Sequence, residues 1–413
     1  MASFSVPLSG LQASSSELQV IGNNLANLNT DGFKDETLSF GDIFSQIQGT
    51  SGNGDPIQVG SGVQIESTSS NLTNGSVSST GTASNMALQG NGYFVVSKNG
   101  ETSYTRDGDF SVNSSGQLTT SSGELVMGFP AVNGTVSTSG VLAPITVNSN
   151  GTVPAVATST FNVDANLDSA ATVGTTFNTP VTVYDSLGTS QTVNIQYTKT
   201  AADTWSYSVT LPGSATGSSA ATTTLASGTL SFNSSGQLTL PTGTVPAIDI
   251  TGLADGAANM SLTWNLDDSS GNPTITQQDT ASALNTTPTQ DGFAAGALSS
   301  YSVLSDGVVQ GTYSNGQTLS LGQVAVASFS NPQGLVQTGD GNEQATSSSG
   351  AAVIGQAGVG GDGTITGGSV EGSNVNLSTE FANMIVAQQS YDANAKVLTT
   401  LDQVDQSTIQ MMS

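Results

Sequence analysis

The stretch "SGLQASSSELQVIGNNLANLNTDGF", Ser9–Phe33, carries leucine at positions 11, 18 and 25, with Phe4 one repeat earlier. A seven-residue apolar row of this kind belongs on one face of an α-helix. Leu8 flanks the row early and Ile21 and Leu28 flank it late, so the stripe drifts sideways, as 3.6 residues per turn imposes on a seven-residue repeat. The run then dissolves into asparagines and an Asp31-Gly32 turn. At the other end of the chain, "NLSTEFANMIVAQQSYDANAKVLTTLDQVDQSTIQMM" repeats the pattern with Leu377, Met384, Tyr391 and Leu398. Asn376 is placed to cap that helix, and Glu380 falls in its first turn, where the helix dipole favours a carboxylate. The spacing predicts terminal helices of about 25 and 35 residues, roughly 40 and 50 Å long.

Between these ends the apolar period falls from seven to two. Val193, Ile195 and Tyr197 alternate with polar residues, as do Trp205, Tyr207 and Val209, and Met260, Leu262, Trp264 and Leu266. These are half-buried strands, and the aromatics read as core. Asn91-Gly92, Asn99-Gly100 and Asp107-Gly108 supply the positive φ angles of hairpin turns. The heptapeptide "NSSGQLT" occurs at 113–119 and at 233–239 and reads as one turn used twice.

The fold class is therefore mainly β with terminal α-helices, in a nested multi-domain order. Residues 1–30 and 373–413 form the helical part. Residues 31–80 form a Gly/Ser/Thr/Asn-rich connector with a little strand, placed at "IQVGSGVQI". Residues 81–149 and 286–372 form a discontinuous β domain, and 150–285 an inserted outer β domain.

Composition excludes several classes of function. The 413 residues include 30 acidic and 5 basic ones, for a net charge of −25. Scattered singly, the basic residues make no patch for nucleic acid or an anionic bilayer. Histidine and cysteine are absent, which removes the usual proton shuttle, the usual zinc ligands, the thiol nucleophile and any disulfide. No enzyme activity, cofactor or metal is expected. The GxGxxG match at Gly358, Gly360 and Gly363 runs into β-branched residues instead of a helix. "RDGDF" and "TGDGNE" lack the closing glutamate of a calcium loop and read as surface turns. Asp267 and Asp268, adjacent on a strand end, point apart. The first residues show neither the basic nor the apolar region of a cleavable signal peptide, and no window is apolar enough for direct membrane insertion.

The helices admit a bland reading, a hairpin within one chain that ties its ends together. Their polar faces argue for more: Ser, Gln, Asn and Gly permit close packing on several sides, where a solvated helix would carry Glu and Lys pairs.

"SGLQASSSELQVIGNNLANLNTDGFK" followed by "SFGDIF", together with the C-terminal helix, strongly resembles the bacterial flagellar rod and hook axial proteins. "LQGNGYFVVSKNGETSYTRDGDFSVNSSGQL" is similar to that family's β domain. Length and the inserted segment favour the hook-forming branch over a distal rod protein; a secreted β-rich adhesin is the rival from another class. The resemblance implies that the two terminal helices pair as a coiled coil, in a self-assembling flexible tube, a universal joint between motor and filament that encloses an export channel outside the cell. It implies a homopolymer meeting the distal rod protein, hook cap, hook–filament junction protein and flagellar type III export apparatus. Leu11, Leu18, Leu25, Leu377, Met384, Tyr391 and Leu398 are expected to carry the polymerisation seam, and Asn23, Asn24, Asn27 and Gly32 to shape the signature turn. Lys and Arg are scarce here, so ion pairs of relatives are not carried over.

Overall fold

In the computed structural model, which describes residues 4–52, 55–132, 134–147 and 151–412, the chain is mainly β with one helix at each end. Contacts divide it into two units. Unit 1 comprises Met1–Asn148, Ser300–Gly311 and Thr318–Ser413; unit 2 comprises Ser149–Ser299 and Thr312–Gln317. The boundary expected near residue 150 falls at 148–150, outside the described residues.

In unit 1, α1 (Ser5–Ala26) is followed by β1 (Glu36–Asp42), β2 (Gln46–Thr50), β3 (Pro56–Val59) and β4 (Val63–Ser70). β1 pairs antiparallel with β4 from Glu36↔Ser70 to Asp42↔Val63, and β2 pairs with β3. The connector is thus far richer in strand than "IQVGSGVQI" suggests, and that segment itself splits into β3 and the start of β4. It forms a long arm laid along α1. Near its outer end the Val63 N–H donates to Ser9 Oγ at 3.2 Å, and at its base the Glu36 N–H donates to Asn24 Oδ1 at 3.1 Å. Hydroxyl pairs, Thr37 with Ser69 and Ser39 with Ser67, replace apolar cross-strand contacts.

The β body of unit 1 is built on strands Thr318–Ser328, Leu125–Val132, Tyr93–Lys98, Glu101–Thr105 and Asn342–Gln344. Tyr93, Val95, Tyr104, Phe129, Ala325 and Ala327 bury one face; Phe94, Val96 and Val126 are buried on the other. Two ladders join residues far apart in sequence: Met86–Gln89 pairs with Thr364–Gly367, and Val77–Ser79 with Ser369–Glu371. The Asn99-Gly100 turn has φ of 55° and 86°, the type I′ geometry that its dipeptide predicts.

α2 (Leu377–Met412) closes the chain. Asn376 caps it as its sequence predicts, accepting the N–H groups of Ser378 and Thr379 at 3.0 and 3.2 Å. α1 and α2 pack together in opposite directions. A Cβ on Gly10 would stand 2.8 Å from Asn394, and Asn24 bonds Glu380. Fourteen residues forward on α1 therefore match fourteen back on α2. Continued, the register sets Ser5 opposite Thr399, so residues 400–412 run about 20 Å past the end of α1.

Unit 2 carries a five-stranded antiparallel sheet in meander order, Thr176–Tyr184, Ser190–Ala201, Thr204–Pro212, Thr222–Phe232 and Leu238–Leu240. A four-stranded sheet joins Thr244–Ile250, Met260–Asn265, Thr160–Asn162 and Thr289–Gln290. Trp205, Trp264, Tyr197 and Phe161 lie in the shared core, with the Phe161 and Trp264 rings stacked at 6.1 Å. The alternation read along these strands is the alternation of their burial. The twin heptapeptides fold alike: Asn113 and Asn233 each accept from the backbone two and four residues on, and Gly116 and Gly236 take φ of 77° and 74°.

Candidate functional site: the base of the helix pair

The asparagine-rich turn that ends α1 ties three elements together. Asn27 terminates the helix, its N–H donating to the carbonyls of Asn23 and Asn24 and its Nδ2 to Asn23 O at 3.0 Å. Asn24, almost wholly buried, donates from Nδ2 to Asp35 Oδ1 at 2.7 Å, Glu36 O at 2.8 Å and Glu380 Oε2 at 3.2 Å. One amide thus joins α1, the arm and the first turn of α2. Gly32 follows with φ +72°, and a Cβ there would stand 2.5 Å from the carbonyl carbon of Arg106. Its N–H donates to Glu371 O at 2.7 Å. Only glycine satisfies both the left-handed backbone and the close approach.

Beneath this turn lies a buried knot of charge. Lys34 Nζ stands 2.7 Å from Glu371 Oε1 and donates to Thr73 O at 3.0 Å. Arg106 Nη1 lies 3.6 Å from Glu371 Oε2, and Nη2 donates to Gly90 O at 2.8 Å. The Gly75 N–H adds a bond to Glu371 Oε1 at 2.8 Å. Among the described residues these are the ion pairs, and all three side chains are buried. Burial pulls the Lys34 ammonium and the Arg106 guanidinium below their usual ranges, and Glu371 opposes that in both.

A cleft of about 210 Å³ opens beside the turn, lined by Asn23, Asn27, Thr30, Asp31 and Gly32 on one side and residues 339–343 on the other. The turns "RDGDF" and "TGDGNE", read as surface loops, meet here: Thr105 Oγ1 donates to Gly341 O at 2.8 Å, and Asp107 is half-buried. Burial pushes Glu343 up to about 7, against the pull of Arg106, and Asp107 up to about 6.

These shifts have a sign. A carboxyl held above its unfolded value binds more protons folded than unfolded, so stability grows as pH falls through the folded value. Unit 1 is expected to gain on the order of 2 kcal/mol from pH 8 to 5.5. Urea midpoints read from the helical signal at 222 nm check this, and Glu343→Gln is expected to remove most of the gain.

Four segments match flagellar family models. Residues 5–34 match the flagella basal body rod protein, and 87–155 the flagellar hook protein FlgE/F/G D1 domain. Residues 146–293 match the flagellar basal body protein FlaE D2 domain, and 366–411 the flagellar basal body rod FlgEFG protein C-terminal model. The chain is 37% identical over 417 residues to the flagellar hook protein FlgE of Salmonella typhimurium, covering 97% of this chain and 98% of that one. It is 35% identical over 415 residues to the flagellar hook protein FlgE of Escherichia coli K12, again across 97% and 98%. The chain belongs to the flagellar hook protein FlgE family.

Its role is that of a structural subunit of the hook. The crystal structure of the Helicobacter pylori flagellar hook protein FlgE2 aligns with TM-score 0.53 over 70% of this chain and 98% of that one. At 14% identity that likeness speaks for the fold.

In this hook subunit Leu11, Leu18, Leu25, Met384 and Leu398 are half-buried, while Leu377 and Tyr391 are each 41% exposed. Buried on the two helices within one chain are Pro7, Ala13, Ser14, Ile21, Asn24, Glu380 and Ala387, and Gly10 lies against Asn394. Asn23, Asn24, Asn27 and Gly32 come together at the base. Sequence reasoning missed Lys34, Arg106 and Glu371. Their signal was the rarity of the basic residues: a chain that keeps five cations places at least two where burial demands a partner.

Proposed function

We propose that the chain is the repeating unit of a flexible tube outside the cell, a universal joint that passes torque from rod to filament around an export channel. Residues 1–30 and 373–413 form its inner wall, 31–80 the arm, 81–149 with 286–372 the β body, and 150–285 the outer domain. Its axial neighbours are the distal rod protein, hook cap and hook–filament junction protein, and it reaches the tube through the flagellar type III export apparatus. The role is structural and involves no catalysis.

The observation that carries this reading is the unfinished packing of α2. Phe381 and Ile385 on one flank, and Val386, Val397 and Val404 on another, are all exposed, and the last three turns have no α1 beside them. A helix with apolar residues on several sides is built to be covered. Leu11, Leu18, Leu25, Leu377, Met384, Tyr391 and Leu398 join sister copies along that seam, and Asn23, Asn24, Asn27 and Gly32 set the angle at which the helices leave the β body. A distal rod protein would be much shorter, and an adhesin would not need this bare helix.

Leu18→Asp or Met384→Asp is expected to abolish tubes in electron micrographs of concentrated protein. Tryptophan emission should stay native, because both tryptophans sit in unit 2. Normal tubes from either variant would refute the assignment.

A further inference from the structure

The arm carries a knob at its far end and a hole at its base. Phe44, just past β1, is 94% exposed, the most exposed large apolar side chain among the described residues. At the base, Gln333 bonds both the N–H and the carbonyl of Ser70, bringing Pro332 to the end of β4. There a pocket of about 380 Å³ has an apolar wall of Leu72, Tyr93, Phe329 and Pro332 and a polar rim of Asn91, Ser328 and Asp362. Tyr93 and Phe329 meet edge to face at 5.8 Å, and the positions where Gly360 and Gly361 would carry a Cβ are open. Arg106 also lines the pocket, 5.2 Å from the centre of the Tyr93 ring and 5% exposed, with Nε lacking a hydrogen-bond partner.

We propose that this pocket receives Phe44 from a second copy of the chain. Its own Phe44 cannot reach it. Seven residues of β1 at about 3.3 Å each hold the ring more than 20 Å from the arm's base. The bonds to Ser9 and Asn24 keep the arm flat along α1. Room is ample, since roughly 150 Å³ suffices for a benzene ring, and the apolar wall gives the ring one face to pack on. An entering ring stacks among Tyr93, Phe329 and Pro332 and offers its face to the guanidinium. Knob and hole lie at opposite ends of one rigid element, so the contact is head-to-tail. Contacts of that kind build an open helical array, whereas a two-fold contact would close on a dimer. The inference rests on the tubular-polymer reading and names one of its contacts.

Phe44→Ala is expected to raise the protein concentration needed for tube growth on sheared seeds by about 10- to 100-fold, the worth of one buried phenyl ring. The chain has no cysteine, so Phe44→Cys combined with Leu72→Cys reports the contact directly. Oxidised tubes of the double variant should run as a ladder of covalent oligomers, and Leu72→Cys with Val141→Cys should not. Tubes of Phe44→Ala at the parent's concentration, or double-variant tubes without a ladder, overturn the pocket and leave the polymer reading standing. A parent chain that grows no tubes on seeds overturns that reading, and the pocket with it.

Discussion

Glu371→Ala is expected to lower the stability of unit 1 by about 3–5 kcal/mol, the usual cost of removing one partner from a buried ionic group. Two cations, Lys34 and Arg106, would then sit buried without the carboxylate that pairs them, left with the weaker pull of Glu343, and the Gly75 N–H would lose its acceptor. Loss on this scale lowers the thermal midpoint of a unit this size by about 10 °C. The chain reports the change selectively. Both helices belong to unit 1 and both tryptophans to unit 2. Ellipticity at 222 nm should therefore melt early while tryptophan emission keeps its midpoint. A common shift in both signals would show that the knot does not act on unit 1 alone. The knot's own merit is geometric: a triad of buried charges adds little net stability over apolar packing, but it tolerates few arrangements. Here it fixes where the chain leaves α1 and enters α2.

Gly32→Ala is expected to cost a similar amount for a different reason. Its Cβ would press to 2.5 Å on the Arg106 carbonyl carbon and 2.6 Å on the Asp107 nitrogen, both backbone atoms that cannot rotate away. Strain at φ +72° adds to overpacking, for a total of about 3 kcal/mol or more. Gly22 supplies the control, since a Cβ there meets nothing within 4 Å and lies inside α1. Gly22→Ala should stabilise the isolated subunit by about 0.5–1 kcal/mol. Urea titrations of the two variants should move in opposite directions; equal shifts would mean that Gly32 is an ordinary turn residue.

The helices, the Asn376 cap, the alternating strands around Trp205 and Trp264 and the paired "NSSGQLT" turns were all legible, because each depends on neighbours a few residues away. The arm was not. Its apolar alternation is only two residues long in each strand, Leu38 and Phe40 in β1 and Val63 and Ile65 in β4, and the rest is mostly Ser, Thr and charged residues, with hydroxyls that pair across the ladder. The knot was equally invisible. Lys34 and Glu371 are 337 residues apart, and nothing local marks either as the other's partner. The leucine rows locate the helices, while burial within one chain favours Ala13, Ser14, Ile21 and Ala387, which lie off those rows.

The bond between Lys34 and Glu371 also sets a timetable. A ribosome delivers the chain from its first residue, so unit 2 is complete once Gln317 emerges. Unit 1 cannot close until the two late strands at 364–367 and 369–371 arrive to meet partners made almost three hundred residues earlier. While residues 318–371 emerge the molecule therefore has a finished middle and an open first unit, and the strands that arrive last latch the chain's beginning.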